Sequence, residues 1–277
     1  MRSIIVAFVC AWGACAASAA DRLPTIHEIV CDFGELGYRG LVKVRDCFEQ
    51  HDLADAQERI AVRVPAHGTR IYRLRPAEAA WVESPCKGKK VAVFGGSFSV
   101  IEPSRIVKDA WRHLGYEVCD FGVNGAGFAF ESHGVGGTNS IPEQVSRVAK
   151  SGRAFDVYVL WASTNDANSR TPEEQNAGIA ECVRLIRESA PKAKLVFLSS
   201  PRIPLLPEKD AKIAKLVDAQ AQVCRNLGNI RYVDLYNGCG FSAENSGECF
   251  QDDKLHMTER GYEHLRDLAV WGVTNGL

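Results

Sequence analysis

A serine stands just past a strong strand signal in Val91-Ala92-Val93-Phe94-Gly95-Gly96-Ser97-Phe98-Ser99. The apolar run after Lys89-Lys90 reads as a strand covered on both faces. Two glycines break it at the carboxyl end, where open α/β sheets place their ligands. A turn of that kind can aim the Ser97 hydroxyl into a cleft and leave its N–H free to bind an anion. Equally, the serine can simply cap the next element. The far end of the chain decides between these readings. Asp252-Asp253-Lys254-Leu255-His256-Met257-Thr258 sets a carboxylate three residues ahead of an imidazole, so a single turn of chain can join them. A serine nucleophile needs a base, and the base needs a partner that fixes its tautomer. Ser97, His256 and Asp253 fit those roles. Between the two ends lies Trp161-Ala162-Ser163-Thr164-Asn165-Asp166, closing another apolar run. Its Asn165 can donate a side-chain N–H to a developing oxyanion. Phe121-Gly122-Val123-Asn124-Gly125-Ala126-Gly127 offers a second, flexible backbone donor.

These four blocks, in this order, resemble the SGNH or GDSL-type serine hydrolase superfamily over roughly residues 88–277. The resemblance implies Ser97 as nucleophile, His256 as base and Asp253 as its partner. It implies an oxyanion hole built from the Ser97 N–H, Gly125 and Asn165. Two departures stand out. The usual Gly-Asp-Ser reads Gly95-Gly96-Ser97, and the usual Gly-x-Asn-Asp reads Ser163-Thr164-Asn165-Asp166. The first removes a polar group beside the nucleophile; neither removes a reacting atom. The wording of the blocks is also similar to a branch of the superfamily found among secreted bacterial proteins.

Composition excludes some partners. Apolar residues make up 46% and the net charge is −1, an ordinary globular balance with no electrostatic signature for nucleic acid or an anionic membrane. Met1-Arg2, the apolar Ile4–Ala11 and the small residues Ala17-Ser18-Ala19 read as a secretory leader over residues 1–20, cleaved after Ala19 or Ala20. That places the mature chain outside the cell or in the periplasm. A lipoprotein anchor would use Cys15, but Trp12 stands where a small aliphatic residue is usual. No apolar run is long enough to span a bilayer. Beyond the leader eight of the ten cysteines remain, an even number compatible with disulfides. Cys239 and Cys249 bracket a loop rich in Gly, Ser and Asn just ahead of Asp253 and His256, and they are the expected local bridge. No Cys/His cluster has zinc spacing, so neither metal nor other cofactor is expected.

Residues 21–85 carry short alternating runs near 29–33, 42–46, 59–64 and 70–74, separated by Gly, Pro and Asp: a small antiparallel β module. Part of it, within residues 44–69, resembles the C-terminal β-sandwich of α-galactosidase-type glycoside hydrolases. The catalytic barrel of those enzymes is missing, so none of their activity is implied. Arg75–Lys90 reads as a linker. From there to the end, residues 86–277 form the hydrolase domain. Strands near 90–95, 116–121, 155–162, 193–199 and 229–235 alternate with helices near 103–114, 142–151, 172–189, 208–226 and 258–274. This pattern predicts an α/β fold, a flavodoxin-like three-layer αβα sandwich around a five-stranded parallel sheet of order 2-1-3-4-5. In that order strands one and three are neighbours, so Ser97 and Asn165 share one edge.

The expected activity is that of a secreted serine esterase acting on an O-acyl, most simply acetyl, ester. The β module tilts the substrate toward acylated carbohydrate. A lipase or thioesterase with the same triad is the alternative within the superfamily. A non-catalytic carbohydrate-binding protein with a degenerate hydrolase domain is the alternative outside it. Gly95-Gly96-Ser97 lacks the third glycine of a dinucleotide fingerprint and the lysine of a P-loop. Ser99 stands where Gly-x-Ser-x-Gly requires glycine, which excludes the α/β-hydrolase elbow.

Overall fold

The computed structural model describes residues 4–9, 26–34, 41–47, 49–65, 69–76, 86–134 and 137–274. It divides into two units, Met1–Pro85 and Cys86–Leu277.

The first unit is all antiparallel. Its strands are β1 (Ile4–Val9), β2 (Ile26–Asp32), β3 (Leu41–Asp46), β4 (Ala56–Gln57), β5 (Arg59–Pro65) and β6 (Thr69–Pro76). One sheet runs β1-β6-β3-β4, and β2 pairs with β5. Alternation makes the core: along β3, Val42, Val44 and Asp46 turn inward while Leu41 and Lys43 face solvent. Val42 and Val44 meet Phe33, Val62, Tyr72 and Leu74. The apolar centre of the expected leader supplies β1, paired with β6 from Ile4 opposite Leu74 to Val9 opposite Thr69. The expected cleavage site at Ala19 or Ala20, and Cys15, lie outside the described residues.

In the second unit the sheet begins with β7 (Lys90–Gly95) and β8 (Glu117–Asp120). A hairpin of β9 (Ser132–Gly134) and β10 (Gly137–Asn139) stands apart from them, and β11 (Val157–Trp161), β12 (Lys194–Leu198) and β13 (Arg231–Val233) complete the sheet. All five sheet strands are parallel, in the order β8-β7-β11-β12-β13, which is the expected 2-1-3-4-5. The helices are α1 (Ser97–Val100), α2 (Arg105–His113), α3 (Ile141–Lys150), α4 (Pro172–Ser189), α5 (Pro207–Leu227), α6 (Leu235–Gly238) and α7 (Glu259–Thr274).

Period-two patterning on the buried strands sorts their side chains into two cores. Val91, Val93, Val157, Val159 and Val196 join Trp111 of α2 and Leu265, Ala269 and Val273 of α7 on one face. Ala92, Phe94, Tyr158, Leu160 and Phe197 join Val145 of α3 and Ile179, Cys182 and Val183 of α4 on the other. Such strands read as unbroken apolar runs because both faces are covered. The helix starts are local chemistry. Thr171 and Glu174 form a capping box ahead of α4, Ser140 and Glu143 another ahead of α3, and proline sits in the first turn of each.

Two elements carry no periodic signal in the sequence. One is α1, a single turn immediately after Gly96; the other is the β9–β10 hairpin. One expectation is corrected outright: Cys239 and Cys249 are free, buried thiols. Each sulfur faces a carbonyl of its own turn, Tyr236 O for Cys239 and Asn245 O for Cys249. Burial pushes both thiols above the ordinary cysteine pKa, which suppresses the reactive thiolate. The loop is ordered by packing instead. Phe241 meets Phe250 edge to face at 5.1 Å, and Asn245 bonds Ser242 N and Gly240 O across its turn. Cys239 and Cys249 should therefore react with a thiol reagent only after unfolding, and without prior reduction. Peptide mapping of native and denatured samples checks this.

Candidate active site

Register brings the site together. Gly95, the last residue of β7, pairs with Trp161, the last of β11, so the chain leaves both strands at one edge of the sheet. From β7 it enters α1 through Gly96, with Ser97 at the first helical position. The first N–H groups of a helix have no partner within it. Accordingly the Ser97 N–H donates to no other described residue, and the side chain is 6% exposed.

A one-turn helix has little stability of its own, and this one is held from outside. Lys108 Nζ reaches Ser99 O at 2.7 Å and Asp120 at 2.6 Å, placing a cation at the negative end of α1. Ser104 Oγ also donates to Ser99 O, at 2.9 Å. Tyr262, in α7, donates its hydroxyl to Phe98 O at 2.8 Å. Burial pushes the Tyr262 phenol far above its ordinary pKa, so it stays a donor. On the strand side, Gln144 of α3 pairs with both the N–H and the carbonyl of Gly95, at 3.1 and 3.0 Å. None of these supports is marked in the sequence by more than a single polar residue on an apolar helix face.

Asp253 and His256 meet as expected. Asp253 Oδ2 lies 2.6 Å from His256 Nδ1. Its other oxygen accepts the backbone N–H of Leu255 and of His256, both at 2.9 Å. Partial burial alone would raise the Asp253 carboxyl. The Leu255 and His256 amides, then the imidazole, outweigh it and hold the group below the ordinary carboxylate value. The carboxylate thus fixes the ring so that Nε2 is the nitrogen available for proton transfer. His256 also packs edge-on against Phe98, the residue after Ser97, with centroids 6.1 Å apart. No hydrogen bond joins Ser97 Oγ to His256. Catalytic hydrogen bonds of this type commonly close only on the reacting complex.

The expected oxyanion donors sit on adjoining turns. Gly125 occupies φ +80°, a conformation that favours glycine, and its N–H donates to no other described residue. Asn165 Nδ2 lies 2.9 Å from Ala126 O and 3.1 Å from Ser163 Oγ, while Ser163 Oγ donates to Ala126 O at 2.7 Å. These three sides fix the angle at Nδ2 at about 53°, whereas the two hydrogens on a planar amide nitrogen diverge by about 120°. In that geometry one N–H directed between the two acceptors serves both. The second points away from them and is free to meet an oxyanion.

Sequence reasoning missed the residue that shapes this edge. Asp166 is fully buried, and its carboxylate accepts the N–H groups of Phe128, Ala129 and Phe130 at 2.9, 2.9 and 2.8 Å. Gln175 Nε2 adds a fourth donor at 3.0 Å, itself held by Gln220. Asp166 follows Asn165 directly, so one short turn presents the oxyanion donor and clamps the strip that carries Gly125.

A model of the GDSL-like lipase/acylhydrolase family matches residues 101–264, a span that includes Gly125, Asn165, Asp253 and His256 and begins just after Ser97. The chain belongs to that family. It is a serine ester hydrolase. A lipase/acylhydrolase from Enterococcus faecalis is similar at 20% identity and a TM-score of 0.51, over 67% of this chain and 95% of that one. A carbohydrate esterase family 2 enzyme with a carbohydrate binding domain, from Corynascus thermopiles, is similar at 15% identity and a TM-score of 0.51, over 98% and 93%. A family two carbohydrate esterase from Clostridium thermocellum follows at 11% and 0.50, over 91% and 92%. A search of curated proteins gave no significant match. Among the described residues no helix of this GDSL-like chain is long and apolar enough to cross a membrane.

Two outcomes follow from the geometry. Asp166→Ala takes the acceptor from the Phe128, Ala129 and Phe130 amides and from Gln175, and should lower stability by about 3 kcal/mol, measured by urea unfolding. Asp253 has a folded pKa below its unfolded value, so its contribution to stability is present above the unfolded value and lost as pH falls through the folded one. The stability difference between wild type and Asp253→Asn should therefore shrink on acidification below about pH 4, read from urea midpoints across that range.

Proposed function

We propose that this chain is an exported esterase that removes an O-acyl group, most simply acetyl, from a carbohydrate. The observation that carries the chemistry is the convergence, at one sheet edge, of a serine with a free backbone N–H, a carboxylate-fixed imidazole and two further donors. In this reading Ser97 Oγ attacks the ester carbonyl as His256 Nε2 takes its proton. The oxyanion is held by the Ser97 and Gly125 N–H groups and by the unshared N–H of Asn165. Collapse returns the proton to the departing alcohol and leaves an acyl-serine. Water, deprotonated by His256, then releases the acid and restores Ser97. Asp253 stays ionised throughout and stabilises the imidazolium.

The carbohydrate part rests on the N-terminal β unit. Likeness to the two carbohydrate esterases runs through that unit as well as the hydrolase domain, whereas likeness to the Enterococcus protein covers a smaller share of this chain. Export rests on the Met1–Ala20 leader pattern, and sequencing the N-terminus of the mature protein checks it.

Turnover of p-nitrophenyl acetate separates an esterase from a binding protein. Acetylated xylan, pectin and peptidoglycan fragments, set against short- and long-chain lipid esters, separate a carbohydrate esterase from a lipase. Ser97→Ala should abolish turnover while leaving the melting temperature unchanged, since the hydroxyl supports no core contact. His256→Ala should be nearly as severe, and Asp253→Ala milder. Asn165→Ala should lower kcat by about 10²–10³ with little change in KM, because its contact strengthens as the carbonyl becomes an oxyanion. Retained esterase activity in purified Ser97→Ala would overturn the assignment.

A further inference from the structure

The two departures from the family's wording, Gly96 and Ser163, are neighbours in space. A Cβ built on Gly96 would lie 2.8 Å from Ser163 Cβ, 2.4 Å from Ala126 O and 3.0 Å from Asn165 Nδ2. No side chain at position 96 is compatible with the present places of all three. Ala126 O is the nearest of the three, and Ser163 is buried beside it. Its hydroxyl donates to Ala126 O at 2.7 Å and accepts from Asn165 twice, from the backbone N–H at 3.3 Å and from Nδ2 at 3.1 Å.

We propose that Ser163 is the positioning residue for the oxyanion donor Asn165. The proposal rests on the assignment of Asn165 to the oxyanion hole made above. Its physical basis is the shared N–H. With Ser163 Oγ in place, the Asn165 amide is pinned at two acceptors that lie to one side, so its remaining N–H has one direction. Cut back to alanine, position 163 leaves Ala126 O as the sole acceptor for Nδ2, and the amide can turn about its own axis. The turn also has a tie apart from this hydroxyl, since Ser200 Oγ holds the Ser163 carbonyl at 2.9 Å. Ser163→Ala therefore alters the aim of the donor and leaves that tie in place.

The experiment measures kcat and KM for p-nitrophenyl acetate, with melting temperatures, in wild type, Ser97→Ala, Ser163→Ala, Ser163→Gly, Gly96→Ala and Gly96→Ala/Ser163→Gly. Ser163→Ala should lower kcat about tenfold while KM stays within about twofold, as loss of orientation without loss of the donor requires, with a small fall in melting temperature from the lost backbone bonds. Gly96→Ala should be severe in the wild-type background. It should stay severe when Ser163 is glycine, because the tightest contact, with the backbone oxygen Ala126 O, remains. Wild-type kcat in Ser163→Ala, or a rise in KM alone, would overturn the positioning role. The Ser97→Ala control separates the two levels. If it is active, the oxyanion assignment itself fails; if it is inactive while Ser163→Ala matches wild type, only the present proposal fails.

Discussion

One buried carboxylate organises the catalytic edge. Among the described residues Asp166 has no cation beside it; amide dipoles balance it, three from a strip of backbone and one from Gln175. Burying an ion is costly unless every lone pair is engaged, so the arrangement tolerates little slack. The strip from Gly125 to Phe130 has to lie where its N–H groups converge on that carboxylate. Gly125 and Ala126 are then carried to Asn165 and Ser163 as a consequence. The same turn that supplies the donor side chain also fixes the loop that supplies the donor backbone.

The serine that follows β7 is treated differently. Its helix is too short to persist alone, and almost everything that holds it comes from elements distant in sequence: Lys108 from α2, Gln144 from α3 and Tyr262 from α7. Parallel topology makes this feasible, since helices on both faces end or begin near the carboxyl edge of the strands. Polar contacts of this kind contribute modestly one at a time, but they leave a single allowed placement for Ser97. Asp253 and His256, by contrast, are local. One turn of chain joins them, and that turn is completed by the two amides that the carboxylate accepts.

Legibility in the sequence follows the range of the interaction. The five strands are apolar on both faces and the helices begin with proline and capping boxes, so order, topology and helix limits could be read within a few residues. The short-range pair Asp253 and His256 was equally plain. What could not be read is every contact made by one side chain to a distant backbone group. Lys108 looks like an ordinary charge on an amphipathic helix, and Gln144 and Gln175 look like surface amides. Asp166 could be placed in a motif but not given its four donors. The loop before Asp253 misled for a related reason: two cysteines near in sequence suggest a bridge, whereas edge-to-face aromatic packing already orders the segment and turns each thiol toward its own turn.

The bond from Tyr262 to Phe98 O ties the last helix of the domain to the first turn after its first strand. Serine and histidine therefore report on the docking of α7 jointly. Catalysis in this chain is a property of chain closure: until the final helix has left the ribosome and seated, the sheet can be complete and the enzyme still silent. A domain nicked ahead of α7 would keep every strand of the sheet and lose the bond that seats the turn after β7.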